Sequence, residues 1–248
     1  MTQPSHSYLE EIPFSHHLAD GGLEGELEIT DHLLVPEGHQ VRISVLSSVA
    51  DVLTGVLIAD SSPDPKTAMT VDLSVRIFKP ITAELLKLRS RIVKRGRTLS
   101  TAEAWFHRDG QPVAHAWATF MLSPRPQDTM KGVPMTKTRG EVEISQPFTV
   151  ALGFDTIEPG VVEVKRSPYT LQPAGTIHGG VVCALAEDAA LSLTGRPVTE
   201  LDVRYLSTIR IGPARATAAV LHDNVTKVTV VDAGRDDDRI ASVAFARG

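Results

Sequence analysis

The sequence is short of cysteine, of positive charge and of long apolar runs, and each shortage excludes a class of protein. Its one cysteine, Cys183, excludes an intrachain disulfide and a cysteine metal site. With 25 basic and 30 acidic residues the net charge is −5, whereas a dedicated nucleic-acid or anionic-membrane binder carries a basic excess. No apolar run approaches the ~18 residues needed to span a bilayer. We therefore expect no nucleic-acid partner and no membrane span.

Targeting and catalytic motifs of several common kinds are also missing. The N-terminal stretch MTQPSHSYLEEIPF lacks the basic segment and apolar run of a signal peptide, which predicts a cytoplasmic protein. The sequence has no Gly-x-Ser-x-Gly, so a serine hydrolase with a nucleophile elbow is unsupported. The histidines, His16 and His17 included, show no paired ligand spacing, so no metal is predicted. What is present, 42% apolar and 22% charged residues, indicates a globular protein with a substantial core.

A proline-rich stretch, SPRPQDTMKGVPMTKTRG, divides the chain into halves of similar length. It contains three prolines and mixed charge, and it shows no hydrophobic period, which is typical of a linker. We predict an N-terminal repeat at residues 1–125, a linker at 126–140 and a C-terminal repeat at 141–248.

The two halves align with one another. VRISVLSSVAD matches IHGGVVCALAE without a gap, which places Arg42 on His178 and Asp51 on Glu187. TVDLSVRIFKPI matches VTELDVRYLSTI further along, and near the end of each half the pattern is strand, charged turn, strand. Identities are few, but apolar pattern and turn positions agree. The sequence therefore indicates a tandem duplication.

Each half predicts the same order of elements. A first strand (LEGELEIT or VVEVKRS) is followed by a Pro-x-Gly turn and one apolar helix. Strands with alternating apolar residues come next, as in RTLSTAEAWF and KVTVV. One long helix with several antiparallel strands is an α+β layer in which the sheet wraps the helix.

The second half resembles a known family. Its Pro-x-Gly turn, His-Gly-Gly, four further residues and Leu-Ala-Glu, followed by hairpins, are similar to the hotdog-fold acyl-CoA thioesterases of the phenylacetate-pathway (PaaI-like) type. The first half matches by pattern, without the glycines. The resemblance implies a tandem double hotdog that hydrolyses acyl-CoA, with coenzyme A as part of the substrate and no other cofactor. It also implies that two such chains pair into a homodimer of double hotdogs.

Helix geometry separates the two ends of the HGGVVCALAE motif. Backbone N–H groups are unpaired at a helix N-terminus, and Gly179 and Gly180 would let a substrate carbonyl approach them closely. Glu187 lies nine residues beyond His178, roughly 13 Å along a helix and about half a turn out of phase. One carbonyl cannot contact both ends. If a glycine turn and an acid cooperate, the acid must come from the helix of the other repeat.

The repeat then defines two composite sites. Site two combines Glu187 with the glycine-free turn Arg42-Ile43-Ser44 and is predicted to be degenerate. Site one combines elements of both halves, namely Asp51, Thr70, Gln172, His178 and Gly179. The resemblance implies that Gln172 and Thr70 orient the attacking water or the substrate. His178 is expected to shape the turn rather than to carry a proton.

The remaining site predictions concern the substrate carrier. Lys94, Arg95 and Arg97 surround a glycine at a turn before a strand. They are interpreted either as a solvated hairpin or, by resemblance, as contacts to coenzyme A phosphates. The counterpart LHDNVTK in the second half carries less positive charge, which agrees with one working site.

Three functions stay open on the sequence alone. The leading hypothesis is hydrolysis of an acyl-CoA thioester, with the Asp51 carboxylate acting either as a general base or as a nucleophile. A non-catalytic acyl-CoA binding protein on the same fold is the main alternative, because one site has already lost its glycines. An enoyl-CoA hydratase is the weaker one, since its Asp/His segment is missing.

Overall fold

In a computed structural model, which describes residues 6–36, 40–60, 67–123, 136–140, 142–235 and 239–248, the chain forms two repeats of helix and sheet. The first repeat contains helices α1 (Tyr8–Glu11) and α2 (Ile43–Asp60), a 3-10 helix (Asp31–Leu33), and strands β1 (Phe14–Ala19), β2 (Gly22–Glu28), β3 (Thr67–Ile77), β4 (Leu85–Lys94), β5 (Leu99–Arg108) and β6 (Gln111–Ser123). The second contains helices α3 (Phe148–Leu152) and α4 (Gly179–Thr194), and strands β7 (Phe154–Glu158), β8 (Val161–Val164), β9 (Glu200–Tyr205), β10 (Ala214–His222), β11 (Val225–Asp232) and β12 (Ile240–Arg247).

All twelve strands in the described ranges join one antiparallel sheet, and its order reveals the duplication. The order is β1-β2-β4-β5-β6-β3-β9-β12-β11-β10-β8-β7. From either edge inward, each repeat runs first, second, fourth, fifth, sixth and third strand. At the centre β3 pairs antiparallel with β9, and the Arg204 guanidinium lies 3.0 Å from the Asp72 carboxylate across that pair. An antiparallel pair at the centre of a mirrored order gives the two repeats a pseudo-twofold axis.

The long helices α2 and α4 lie on one face of the sheet and pack against each other. Fourteen of the eighteen residues of α2 are buried, because the sheet covers one side of the helix and α4 covers another. A helix enclosed in this way is apolar nearly all round instead of having one polar face. The predicted α+β double hotdog is confirmed.

One helix, α2, is long and apolar enough to bear on the expectation that the chain has no membrane span. Over its 18 residues the mean hydropathy is 1.7, so length and composition alone would suffice for a span. In the sequence, Asp51 and several hydroxyl residues interrupt the apolar run of this segment, so it contains no long uninterrupted stretch of apolar residues. Within the fold, however, 78% of this segment is buried, and α2 is the core helix of the first repeat.

Two further elements in each repeat were not predicted. Each repeat begins with a short helix and an additional strand, α1 and β1 in the first and α3 and β7 in the second. The end of the predicted linker is ordered along the edge strand, since Lys137 exchanges backbone hydrogen bonds with His16. Linker residues 126–135 lie outside the described residues. The repeat boundaries stay a prediction.

Candidate active site

The HGG turn forms the N-terminus of α4. His178 is the N-cap residue, with extended backbone, and its Nδ1 accepts the Gly180 N–H at 3.0 Å. Gly179 is the first helical residue, and within the described part of the chain its N–H has no hydrogen-bond acceptor. Because a helix N-terminus also carries partial positive charge, the Gly179 N–H is suited to a substrate oxygen.

The acid beside this turn comes from the other repeat. Asp51 projects from the middle of α2, and its Oδ1 accepts the Thr70 hydroxyl at 2.6 Å. Its Oδ2 lies 3.5 Å from the point where a Cβ on Gly179 would sit. The structure therefore brings Asp51, Thr70, His178 and Gly179 together across the two helices. This is the arrangement expected for site one, and the catalytic roles of these residues stay predictions.

Burial shifts the titration of the two ionisable groups in site one. Loss of solvent raises the pKa of Asp51, and the nearby His178 and the Thr70 hydrogen bond oppose that shift. Loss of solvent also lowers the pKa of His178, with Asp51 acting in the opposite direction. A neutral imidazole is consistent with its hydrogen bonding, since Nδ1 accepts a backbone N–H and the ring proton is then on Nε2.

The structure gives Gly180 a different role from the predicted substrate contact. Its N–H is taken by His178, and a Cβ at this position would overlap Ser48 Oγ and Tyr8 Oη. Gly180 is itself buried. A glycine is required at position 180 because Ser48 and Tyr8 approach it closely. The glycine that lies beside Asp51 is Gly179.

Tyr205, which was not predicted from the sequence, also lines site one. Its hydroxyl donates to the Gly179 carbonyl at 3.1 Å and lies 3.0 Å from Cys183 Sγ. Its counterpart in the first repeat is Ile77, so an unlike pair in an aligned strand was the available signal. Cys183 is buried, as expected of a packing residue, and burial raises the pKa of its thiol to about 12.

At site two the Glu187 carboxylate accepts hydrogen bonds from the N-terminus of the helix that it faces, α2. The Glu187 carboxylate is fully buried and accepts the Ile43 N–H at 2.9 Å, the Ser44 N–H at 3.2 Å and the Ser44 hydroxyl. Arg42 is also buried and donates to Asp188 at 3.0 Å. Burial raises the pKa of Glu187, and Arg42 and these hydrogen bonds oppose the shift. The backbone donors that could bind a substrate oxygen at site two are already occupied.

Gln172 lies near site one without touching its acid. Its side-chain amide donates to Thr176 Oγ1, and its backbone N–H donates to the Thr176 carbonyl, so it closes its own turn. Among the described contacts none joins Gln172 to Asp51. A role in holding water would require its side chain to turn.

Lys94, Arg95 and Arg97 lie at the β4–β5 hairpin and are exposed. None of the three has an acidic partner among the described residues. Lys94 is paired with Thr101, and the register continues through Thr119 to Asp72 on β3, two residues from Thr70. At ~4.8 Å per strand, three strand spacings place the Lys94 backbone roughly 14 Å from that of Asp72.

In the described part of the chain, no group of three or more His, Cys, Asp or Glu side chains is arranged to hold a metal ion. Site one is therefore an acid, a hydroxyl and a helix N-terminus. The sheet order and the paired helices define the class of protein as a double hotdog, two helix-and-sheet units joined in one chain.

Comparisons with known proteins agree with this class. Residues 25–122 match the family model for the acyl-CoA thioesterase C-terminal domain. A proposed thioesterase related to phenylacetic acid degradation, from Ralstonia eutropha JMP134, is 32% identical over 43% of this chain and 82% of its own, with a TM-score of 0.39. No curated protein sequence matches significantly.

Two further solved structures share the fold over nearly the whole chain. A proposed thioesterase II from Thermobifida fusca is 16% identical over 99% of this chain and 98% of its own, with a TM-score of 0.60. An acyl-ACP thioesterase from Bacteroides thetaiotaomicron is 11% identical over 90% of this chain and 96% of its own, with a TM-score of 0.59. The chain belongs to the hotdog-fold thioesterases, PaaI-related enzymes that hydrolyse acyl thioesters.

Proposed function

We propose that the chain hydrolyses acyl-CoA thioesters to a free acid and coenzyme A at site one. The observation that carries the proposal is the position of Asp51 Oδ2, which lies within reach of Gly179 although the two residues belong to different repeats. An ionisable acid beside an unoccupied helix N–H is the minimum that acyl transfer requires. Site two lacks such an unoccupied donor.

In this proposal the Gly179 N–H and the N-terminus of α4 stabilise the negative charge that develops on the thioester oxygen. The Thr70 hydroxyl holds Asp51 Oδ1, which leaves Oδ2 as the reactive oxygen. Oδ2 either removes a proton from water, whose oxygen then bonds to the acyl carbon, or itself forms a transient anhydride that water cleaves. In both routes the C–S bond breaks, and the sulfur leaves as a thiolate that is protonated to coenzyme A. No cofactor enters either route.

The test compares wild type, Asp51→Asn and Glu187→Gln on a panel of acyl-CoA substrates. Glu187→Gln is the matched control, because it makes the same chemical change at the pseudo-symmetric position. We expect Asp51→Asn to lose about 10²- to 10⁴-fold in kcat and Glu187→Gln to retain turnover in its folded fraction. The opposite pattern would assign catalysis to site two. A wild type that binds acyl-CoA without turnover would support the binding-protein alternative.

Isotope labelling tests whether Asp51 acts as a nucleophile. A single turnover in ¹⁸O-water, with enzyme in excess over acyl-CoA, is followed by mass spectrometry of the peptide that contains Asp51. If Oδ2 is the nucleophile, water attacking the acyl carbon places ¹⁸O in the free acid, and water attacking the Asp51 carbonyl places it in the protein. Label in the Asp51 peptide therefore establishes Asp51 as the nucleophile, whereas label in the free acid alone results both from a general base and from attack at the acyl carbon of the anhydride. Asp51→Asn provides the background.

The carrier is tested at the cationic hairpin. Replacing Lys94, Arg95 and Arg97 together by alanine is expected to raise KM for acyl-CoA about tenfold, since exposed ionic contacts contribute up to about 1 kcal/mol each. KM for an acyl-pantetheine, which lacks the nucleotide phosphates, should not change. Lys227→Ala, an exposed cation on β11, is the control. Faster turnover of acyl-ACP than of acyl-CoA by wild type would refute coenzyme A as the carrier.

The homodimer of double hotdogs also belongs to this proposal. Sedimentation equilibrium on the full chain should give twice the chain mass of 26.8 kDa. A single-chain mass would refute the pairing without affecting site one, since both repeats that build the site are in one chain.

A further inference from the structure

The short helix α1 reaches into site one from the first repeat. Tyr8 is completely buried, and its hydroxyl lies 3.0 Å from His178 Nδ1 and 3.2 Å from Ser48 Oγ. The Tyr8 and His178 rings meet edge to face, with centroids 5.6 Å apart. The sequence predicted His178 as part of site one, but it did not predict Tyr8. These contacts link a residue near the start of the chain to the turn that precedes α4.

The hydrogen bonds around His178 Nδ1 indicate which atoms donate and which accept. The Gly180 N–H donates to Nδ1, so Nδ1 carries no proton of its own. A contact of 3.0 Å between Nδ1 and the Tyr8 hydroxyl therefore requires the Tyr8 proton. Ser48 Oγ, 3.2 Å away, also accepts the Tyr8 proton, because the Ser48 proton is donated to the Ser44 carbonyl at 2.8 Å. The single Tyr8 proton is thus shared between Ser48 Oγ and the Nδ1 lone pair, which also accepts the Gly180 N–H.

The helix α1 is anchored so that Tyr8 keeps this position. The Tyr8 N–H donates to the Tyr169 carbonyl at 3.1 Å, in the loop that leads to the His178 turn. The Tyr169 hydroxyl in turn donates to Glu11 at 2.7 Å. The Tyr8 ring also lies 6.0 Å from that of Phe148. Residues of both repeats therefore hold Tyr8, and its ring would keep its packing without the hydroxyl.

We propose that Tyr8 is a positioning residue of site one, which holds the His178 imidazole neutral and oriented so that its Nδ1 caps α4. The proposal rests on the function proposed above for site one. Through the cap, Tyr8 fixes the first turn of α4 and hence the direction of the Gly179 N–H. Protonation of Nδ1 would replace an acceptor by a donor facing the Gly180 N–H and would break the cap.

Two titratable groups act on His178, namely Tyr8 on α1, which contacts Nδ1, and Asp51 on α2. Tyr205 on β9 and Cys183 on α4 lie one residue further on, where the Tyr205 hydroxyl contacts the Gly179 carbonyl and the Cys183 thiol. Asp51 is the acid that favours protonation of the imidazole. A hydrogen bond from the Tyr8 hydroxyl to Nδ1 would favour the neutral form. Removing the Tyr8 hydroxyl should therefore raise the pKa of His178.

The experiment compares Tyr8→Phe with Tyr169→Phe by steady-state kinetics and by NMR of ¹⁵N-labelled histidine in the full chain. Tyr169→Phe is the matched control, because it also removes a hydroxyl from the anchor of α1 but none that touches His178. His178→Asn assigns the His178 signals. Circular dichroism and unfolding midpoints identify any variant that fails to fold.

We expect Tyr8→Phe to lower kcat about 5- to 20-fold with little change in KM, as for the loss of one hydrogen bond at a positioned group. The His178 titration and the acid limb of kcat should both move to higher pH, whereas Tyr169→Phe moves neither. Unchanged titration and turnover in Tyr8→Phe would overturn the proposal and leave Tyr8 as packing. If wild type hydrolyses no thioester, the proposed function fails, but the NMR titration still decides whether Tyr8 controls His178.

Discussion

The two adjacent glycines of the HGG turn should respond in opposite ways to one added methyl group. A Cβ on Gly179 would lie 3.4 Å from Tyr205 Oη and 3.5 Å from Asp51 Oδ2, which are ordinary contacts. A Cβ on Gly180 would lie 2.9 Å from Ser48 Cβ and would overlap Ser48 Oγ and Tyr8 Oη. The first methyl group enters the substrate space, and the second enters the protein core.

The magnitudes follow from these contacts. Replacing a helical glycine by alanine stabilises by up to about 1 kcal/mol where the alanine fits. Gly179→Ala should therefore leave the free energy of unfolding unchanged or slightly higher. Gly180→Ala must displace Tyr8 or the backbone of α2, and overpacking of this kind costs about 1–3 kcal/mol. Its net effect should be a loss of stability.

The assays are urea unfolding followed by circular dichroism and initial rates of acyl-CoA hydrolysis. Gly179→Ala should unfold at the wild-type urea concentration or above and lose about 10²-fold or more in kcat/KM, the scale of losing an oxyanion donor. Gly180→Ala should unfold at lower urea, and its folded fraction should keep more activity. If Gly179→Ala keeps wild-type turnover, the assignment of Gly179 to the substrate is refuted. Equal destabilisation by both variants would refute the packing argument.

Three further predictions use the two acids and Thr70. Glu187→Gln should lower the free energy of unfolding by about 1.5–3 kcal/mol, since an amide group would face a backbone donor; a wild-type urea midpoint would contradict this. Asp51→Asn should be more stable than wild type at pH 7, because a raised pKa makes ionised Asp51 costly, and the gain should vanish below the ordinary value of 3.8; a gain independent of pH would contradict it. Thr70→Val should lower kcat and shift its acid limb to higher pH, since a donor to the carboxylate is lost; an unshifted limb would contradict it.

Much of the fold could be predicted from the sequence, because the alignment of the two repeats allows the elements of one half to be inferred from those of the other. The glycine-free stretch VRISVLSSVAD is a weak helix signal alone, but its alignment with IHGGVVCALAE identifies α2 and places Asp51 on it. The extra elements α1 and β1 were not predicted, because α1 is only about one turn long and two adjacent histidines interrupt the apolar pattern of β1. Short elements are held by tertiary contacts, here between Tyr8 and the loop at Tyr169, and local sequence does not encode these.

The site was predictable where helix geometry constrained it and unpredictable where side chains cross between repeats. Nine residues of helix separate His178 from Glu187, and that alone requires an acid from the partner helix. Nothing in the sequence distinguishes the environment of Gly179 from that of Gly180. Their difference depends on Tyr8 and Ser48, which converge on Gly180 from two distant segments.

The two pseudo-symmetric sites differ in what caps the helix, and this difference is the reason for proposing catalysis at Asp51 and not at Glu187. At α4 the cap is the imidazole of His178, which accepts the Gly180 N–H and leaves the Gly179 N–H without an acceptor in the described part of the chain. Asp51, beside that N–H, accepts a hydrogen bond from the Thr70 hydroxyl. At α2 the cap is the Glu187 carboxylate itself, which takes both backbone donors. Arg42 occupies the position of His178 and donates to Asp188, so the acid Glu187 from α4 satisfies the backbone donors of α2 instead. The same carboxylate position thus caps a helix in one repeat, and in the other it lies beside an unoccupied N–H, as the proposed chemistry requires.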